Sequence, residues 1–352
     1  MCPISFRQDG PPWGPPAFLE PALFRRIIDQ FEDLEELHLQ GLGEPLMHPE
    51  FFALVRYAAA RGIRVSTNTN LTLMTSRRAR ECVESGLDTL HVSIDGATAP
   101  TYEFIRRDAR FDKVLANLKR LMAAREVRRR RLAAGSVDRL SMRTSGTSPG
   151  GREDAAGEQE SLAAGRPALI PTVPKVRLVA VAMRRNLDEI PGIVALAADH
   201  GVEAVFVQHL CHDFSEGSLP AHYRTMRDFI SSQTLLSEDP ARVGAAFAEA
   251  RCIARARGVD LRLPPVDRQE SPQSRSPLGC DWPHRGIYLS YRGEAMPCCM
   301  VSTPDRIKLG DMAVERVAAV WSGDAYRRFR ADLAAGRPPE VCRGCAIYKG
   351  TF

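Results

Sequence analysis

The chain has 352 residues with 44% hydrophobic residues and a formal net charge of +5, enough for one large α/β domain and a smaller second unit. No apolar run is long enough to cross a bilayer, and "MCPISFRQDGPPWGPP" has an early charge and prolines where a signal peptide needs an apolar stretch, so the protein reads as cytoplasmic. Eight arginines against four acids between residues 125 and 154 hold most of the positive excess, which argues against a basic nucleic-acid groove running through the fold.

In chain order, "EPALFRRIIDQF" (20–31) predicts a first helix, yet a βαβ series needs a strand before it and residues 1–19 contain none. A barrel lacking its first strand would leave unpaired edges. Short apolar runs at "LEELHLQ" (34–40), "GIRVSTN" (62–68), "LDTLHVSI" (87–94), "KVRLVAVAM" (175–183) and "VEAVFVQHL" (202–210) predict buried strands, and the segments between most of them carry helical spacing. Such repeats mean parallel strands with helices outside, an open or closed barrel. Residues 127–174, rich in Gly, Ser, Arg and Ala, predict a disordered insertion whose arginine run lengthens the preceding helix into solvent. Residues 216–257 read as helical, "VDLRLPP" as a further short strand, and the barrel unit as 1–268 with a second module over 269–352.

Nine cysteines in a reducing compartment favour metal ligation or burial over disulfides. Cys82, Cys211 and Cys252 are isolated and expected in the core; Cys211-His212 makes a poor metal pair because neighbours on extended chain point apart. The C-terminal set is ordered: Cys280, twelve residues to Gly293, four to Cys298, then Cys342-x2-Cys345. Four such thiolates hold either zinc or an iron-sulfur cluster, and spacing does not choose between them; nor does it exclude a site that only staples the tail. Cys298 is preferred over its neighbour Cys299 as the ligand.

Ligand sites in parallel barrels sit at the C-terminal ends of strands. Three loops there carry suitable groups: "GLGEP" (41–45), with glycines and the Glu44 carboxylate, then "STNTN" (66–70) and "SIDG" (93–96), with hydroxyl, amide and carboxylate groups suited to a ribose. Each alone is also what a turn requires. Their order along one rim is the stronger signal.

This order, followed by "YEFIR" (102–106) and the C-x12-G-x4-C plus CxxC tail, closely resembles radical S-adenosylmethionine (radical SAM) enzymes with a SPASM or twitch-type auxiliary domain. The resemblance implies an α/β fold: a partial (βα)6 TIM-like barrel lacking its first strand, with a small Cys-rich domain behind it. It implies that Cys2 is the last ligand of a CxxxCxxC loop holding a 4Fe-4S cluster, with S-adenosylmethionine on the fourth iron. Gly43, Glu44 and Pro45 would serve the methionyl amine, Leu42 standing where the family has a glycine; Thr67, Asn68, Ser93 and Asp95 would lie along the cofactor, and Arg106 would meet its carboxylate. Cys280, Cys298, Cys342 and Cys345 would hold an auxiliary 4Fe-4S cluster. The implied chemistry is hydrogen abstraction by a 5'-deoxyadenosyl radical, in an oxidoreductase or peptide maturase acting on a peptide or small molecule and supplied by a flavodoxin or ferredoxin. Two of the three radical-cluster cysteines precede any residue of the sequence, so the expected explanation is a start lying upstream of Met1. The alternatives are a non-catalytic iron-sulfur or zinc paralogue acting through partner binding, and a zinc-stapled barrel using another nucleotide.

Overall fold

A computed structural model describes residues 17–144, 173–210, 213–265, 280–301 and 303–349, with the backbone alone over 135–144. Cys2, the region of the expected missing strand before residue 17, and Cys211-His212 lie outside the described residues. Six parallel strands form one sheet in the order β1 to β6: β1 (Glu36–His38), β2 (Arg64–Thr69), β3 (Thr89–Ser93), β4 (Lys175–Val181), β5 (Ala204–Gln208) and β6 (Asp260–Arg262). Every strand read from the sequence is present, shorter at one or both ends, except that β2 runs one residue further, to Thr69. The helices of this unit are α1 (Pro21–Ile28), α2 (Phe51–Ala59), α3 (Ser76–Glu84), α4 (Ala99–Ile105), α5 (Phe111–Thr144), α6 (Ile190–Asp199), α7 (Arg224–Gln233) and α8 (Pro240–Arg257).

Burial alternates along the strands, and that alternation positions the site. Val65, Leu90, Val92, Val176, Leu178, Val205 and Val207 turn outward into the core beneath the helices. Ser66, Asn68, His91, Ser93, Arg177, Phe206 and Gln208 lie on the other face and are only half-buried. A parallel sheet covered on both faces reads as continuous apolar runs, so polar residues at alternate positions mark a concave face left for a ligand. Helix ends follow side-chain chemistry: Thr75 accepts from the Arg78 amide at the start of α3, Asp239 accepts from the Ala241 amide at the start of α8, and Gly258 closes α8 in a left-handed conformation.

One expectation needs correction. Helix α5 continues through Thr144, so the first part of the expected disordered insertion is helical; residues 145–172 lie outside the described residues. Arg, Leu and Ala are good helix formers, and Glu126 pairs one turn on with Arg129 and Arg130, both at exposed positions.

The C-terminal region holds a small antiparallel sheet, β7 (Tyr288–Leu289), β8 (Glu294–Met296) and β9 (Gly310–Asp311). Around it lie α9 (Trp282–Arg285), α10 (Val317–Trp321), α11 (Asp324–Ala334), α12 (Glu340–Arg343) and α13 (Ala346–Lys349). Its core includes Ala295, Met312, Val320, Tyr326, Phe329 and Leu333. Helix α1 serves both regions: Phe24 and Ile28 enter the barrel core, Ile27 enters the C-terminal core, and the Gln30 side chain accepts from the Val317 amide at 3.0 Å. Among the described residues no helix is long and apolar enough to cross a membrane.

Candidate cofactor rim and cysteine centre

The loop after β1 is shaped by Gly43, whose φ of +136° is a backbone conformation that residues with side chains rarely adopt. Glu44 follows it, and Pro45 opens a single 3-10 turn, Pro45–Met47, that fixes the carboxylate. The Glu44 carboxylate accepts from the Thr69 hydroxyl at 2.7 Å, the Asn70 amide at 2.7 Å and the Leu46 amide at 3.2 Å. Burial pushes its pKa up, while these bonds and Arg106 oppose the rise.

Asp95 ends the turn after β3 and is fully buried. Arg106 Nη2 lies 2.7 Å from its Oδ2, and the Val181 amide donates to Oδ1 at 2.8 Å. Burial alone would raise this carboxyl; Arg106 leads the interactions, the Val181 amide among them, that overcome burial and hold it below the ordinary carboxylate range. Asn186 ties the backbone together by donating to the Asp95 carbonyl at 2.8 Å and the Val181 carbonyl at 2.9 Å. Gly96 is required by close approach: a Cβ there would sit 2.7 Å from the Tyr102 nitrogen. That approach seats α4 on the end of β3 and returns Arg106, at the C-terminal end of α4, over Asp95.

Asn68 and Ser93 lie on the concave face, Asn68 donating to Gln40 Oε1 at 2.6 Å. His38 joins them, sharing hydrogen bonds with Gln40 Oε1 at 2.9 Å and Ser66 Oγ at 2.7 Å. Thr67 does not: it faces the helix layer, fully buried, and its hydroxyl donates to the Leu39 carbonyl. A period of two explains this, since Thr67 and Asn68 are neighbours on one strand. The structure therefore gathers Gly43, Glu44, Pro45, Asn68, Ser93, Asp95 and Arg106 along one rim and face, and turns Thr67 away. Sequence reading missed Tyr102, which is fully buried while its hydroxyl has no hydrogen-bond partner among the described residues. Burial pushes that phenol up to about 12, and the charges of Arg106, Asp95 and Glu44 all reach it. The signal was available in "YEFIR", where Tyr102 stands one helical turn before Arg106.

Further along the concave face the His38 and His91 rings lie 6.0 Å apart, and the Arg177 guanidinium stacks 4.8 Å from the Phe206 ring centre. Burial, His38 and Arg177 lower His91 to about 4, which keeps it neutral near pH 7.

The second centre is built from turns. Gly293, at φ +87°, makes the β7–β8 turn, where a Cβ would meet the Ala313 nitrogen at 2.9 Å. Strand β8 then delivers Cys298 and Cys299, while α12 carries Cys342 and the next turn carries Cys345, whose amide donates to the Cys342 carbonyl at 3.1 Å. These four thiols form one electrostatic group with Cys280. Burial raises each of them, Cys299 to about 11 and Cys342 to about 12, and neighbouring cysteines add to every rise but that of Cys345. Among the described residues no three His, Cys, Asp or Glu side chains close around a single ion. The donor set fits a cluster chemically: buried thiols lose their protons only to a strong positive partner, which cluster iron supplies. Two isolated cysteines differ from each other. Cys82 lies in the barrel core, as expected, whereas Cys252 is exposed on α8, a correction that follows from its place on the outer side of the helix layer.

An acid and a paired base thus lie at the strand ends of a parallel α/β sheet, with a buried cysteine set beyond. Comparison makes the class specific. Residues 1–127 match the radical SAM superfamily, and residues 280–346 match SPASM, an iron-sulfur cluster-binding domain. A PqqA peptide cyclase of Xanthomonas campestris is 25% identical over 222 residues, covering 61% of this chain and 54% of its own. One of Xanthomonas euvesicatoria is 24% identical over 332 residues, covering 93% of this chain and 72% of its own. The chain thus spans about half the length of the first of these curated relatives. Streptococcus suis SuiB bound to the precursor peptide SuiA superposes with a TM-score of 0.58 at 14% identity, covering 99% of this chain and 67% of SuiB. The anSMEcpe protein with bound AdoMet has a TM-score of 0.58 at 13% identity, over 94% of this chain and 77% of its own. The chain is thus similar to the radical SAM superfamily over residues 1–127 and to SPASM domains over residues 280–346.

Proposed function

We propose that this chain binds S-adenosylmethionine at the rim formed by Glu44, Asp95 and Arg106 and uses it for radical modification of a peptide. The observation that carries the reading is the placing of a half-buried acid and a largely buried ion pair on one rim, since a zwitterionic ligand needs an anion for its ammonium and a cation for its carboxylate. Glu44, held by three donors, takes the ammonium. Arg106, oriented by Asp95, takes the carboxylate, and Asn68 and Ser93 offer polar contacts to the ribose. Gly43 keeps the loop backbone free of a side chain beside the ligand. Bound there beside a reduced 4Fe-4S cluster, S-adenosylmethionine would supply hydrogen-abstraction chemistry toward the substrate. Cys2 contributes one ligand to that cluster, and no other cysteine occurs before Cys82. Cys280, Cys298, Cys342 and Cys345 hold an auxiliary cluster, and the barrel and auxiliary units divide near residue 268. The peptide substrate is supported by the relatives' name and by the SuiB complex with its precursor peptide. The same relatives do not favour the partner-binding paralogue. A flavodoxin or ferredoxin is the fitting class of electron donor.

The test is equilibrium binding of S-adenosylmethionine to the anaerobically prepared full chain and to Glu44→Gln. The variant is expected to bind at least about tenfold more weakly, the loss of one charge-assisted hydrogen bond. Because burial raises Glu44, its carboxylate loses charge above the ordinary glutamate range as pH falls, so wild-type affinity drops on acidification and the variant's stays flat. Equal affinity and equal pH profiles for the two proteins would reject the rim as the ammonium site.

A further inference from the structure

The barrel reaches into the cysteine centre through a short segment that follows β5. The Asp213 amide donates to the carbonyl of Gly344, inside the CxxC turn, at 3.1 Å. The Gly217 and Ser218 amides donate to the Glu340 carboxylate, at the start of α12, and the Ser218 hydroxyl donates to it at 3.0 Å. Between these contacts Glu216 meets Arg306, whose Nε donates to Glu216 Oε1 at 2.8 Å and whose Nη2 bonds the same oxygen. Both side chains are 1% exposed. Arg306 also donates from Nη1 to the Met300 carbonyl at 3.1 Å, just beyond Cys298 and Cys299, and its guanidinium lies 4.8 Å from the Phe214 ring centre. The other Glu216 oxygen, Oε2, has no hydrogen-bond partner among the described residues.

A buried ion pair is a weak source of stability, because desolvation offsets its attraction. Its charges, however, are poorly screened, so any change of charge nearby is felt strongly. Arg306 holds the Met300 carbonyl, two residues after Cys298, and Glu216 precedes the Gly217 and Ser218 amides that hold Glu340, two residues before Cys342, so one charge of each sign stands between the two ligand-bearing segments.

We propose that the buried Arg306–Glu216 pair sets the reduction potential of the auxiliary cluster. Arg306 favours the more negative, reduced state, and Glu216, contributed by the barrel, holds that effect in check. The proposal rests on the assignment of the C-terminal cysteines as cluster ligands. Arg306 and Glu216 are positioning residues here, since neither ligates iron.

The experiment is a potentiometric titration of the auxiliary cluster in the anaerobically reconstituted full chain, followed by electron paramagnetic resonance, after iron and sulfide assay. Glu216→Gln is expected to raise the potential and Arg306→Gln to lower it, each by about tenfold in the reduction equilibrium, or ~59 mV for a one-electron couple. The double variant, whose local net charge equals the wild type's, is expected to return close to the starting potential, as is Arg306→Lys. If one single variant assembles poorly, the other single variant against the double variant still reads the charge effect. Shifts of the same sign in both single variants, or none in proteins that keep their iron, would overturn the proposal. A wild-type chain that takes up no iron would instead overturn the cluster assignment beneath it, and the iron assay separates that failure from a potential that does not move.

Discussion

The cofactor rim and the cysteine centre solve the same problem, holding charge out of water, in opposite ways. At the rim the charges come already matched: Asp95 faces Arg106, and Glu44 accepts three hydrogen bonds from residues on β2 and the adjoining loops. These groups hang from strands and helices whose cores exist without any ligand. In the cysteine centre, strands of two or three residues and helices of four surround thiols that burial drives toward their neutral form. The rim is held by ion pairs and hydrogen bonds within the barrel, whereas the cysteine centre is held by short elements packed around thiols that burial keeps neutral.

Breaking that comparison begins with Cys342→Ser, for which the largest effect is expected. Losing one thiolate should abolish iron binding by the auxiliary site and loosen α12 and α13, while the far-ultraviolet dichroism of the barrel changes little. Iron analysis and limited proteolysis with mass mapping check this. A variant that keeps its iron and resists cleavage between residues 280 and 349 would show that the C-terminal region stands without ligation.

Next in size is Arg106→Met at the rim. Removing one partner of a buried pair leaves Asp95 charged and alone, which costs about 3–5 kcal/mol in urea unfolding at neutral pH. The sign of the acid response follows from the direction of the Asp95 shift. A carboxyl held low in the folded state contributes stability above its unfolded pKa and loses it as pH falls through the lower, folded value. The wild type should therefore lose stability on acidification in that range, and the variant should show a shallower slope. A loss under about 1 kcal/mol would mean that the rim's charges are solvated and not prebuilt.

How legible each region was in the sequence follows the same division. The short apolar runs marked all six strands, and the four central ones turn an alternate apolar row toward the helices. Glu44, Asp95 and Arg106 were legible because loops at strand ends carry ligand groups and have little packing to do. Thr67 was assigned to the cofactor because a five-residue motif does not say which alternate residue faces inward; only the register beside Leu90 decides it. The Arg306–Glu216 pair was invisible, its members 90 residues apart and neither belonging to a motif. The exposure of Cys252 was missed because α8 is long and has apolar residues on more than one side.

The smallest effects separate two glycines, one in each region. Gly43 and Gly293 both have positive φ, but a Cβ on Gly43 meets nothing within 4 Å, while one on Gly293 meets the Ala313 backbone nitrogen at 2.9 Å. Gly43→Ala should therefore cost conformational strain alone, about 1 kcal/mol. Gly293→Ala adds a clash with backbone that a rotamer change cannot relieve, so it should cost about 2–3 kcal/mol. Urea unfolding followed separately by barrel and C-terminal tryptophan-region probes would read the two. Equal costs would mean that the loop before Glu44 is packed as tightly as the β7–β8 turn, which removes the room the rim needs for a ligand; the expected inequality places that room beside Glu44.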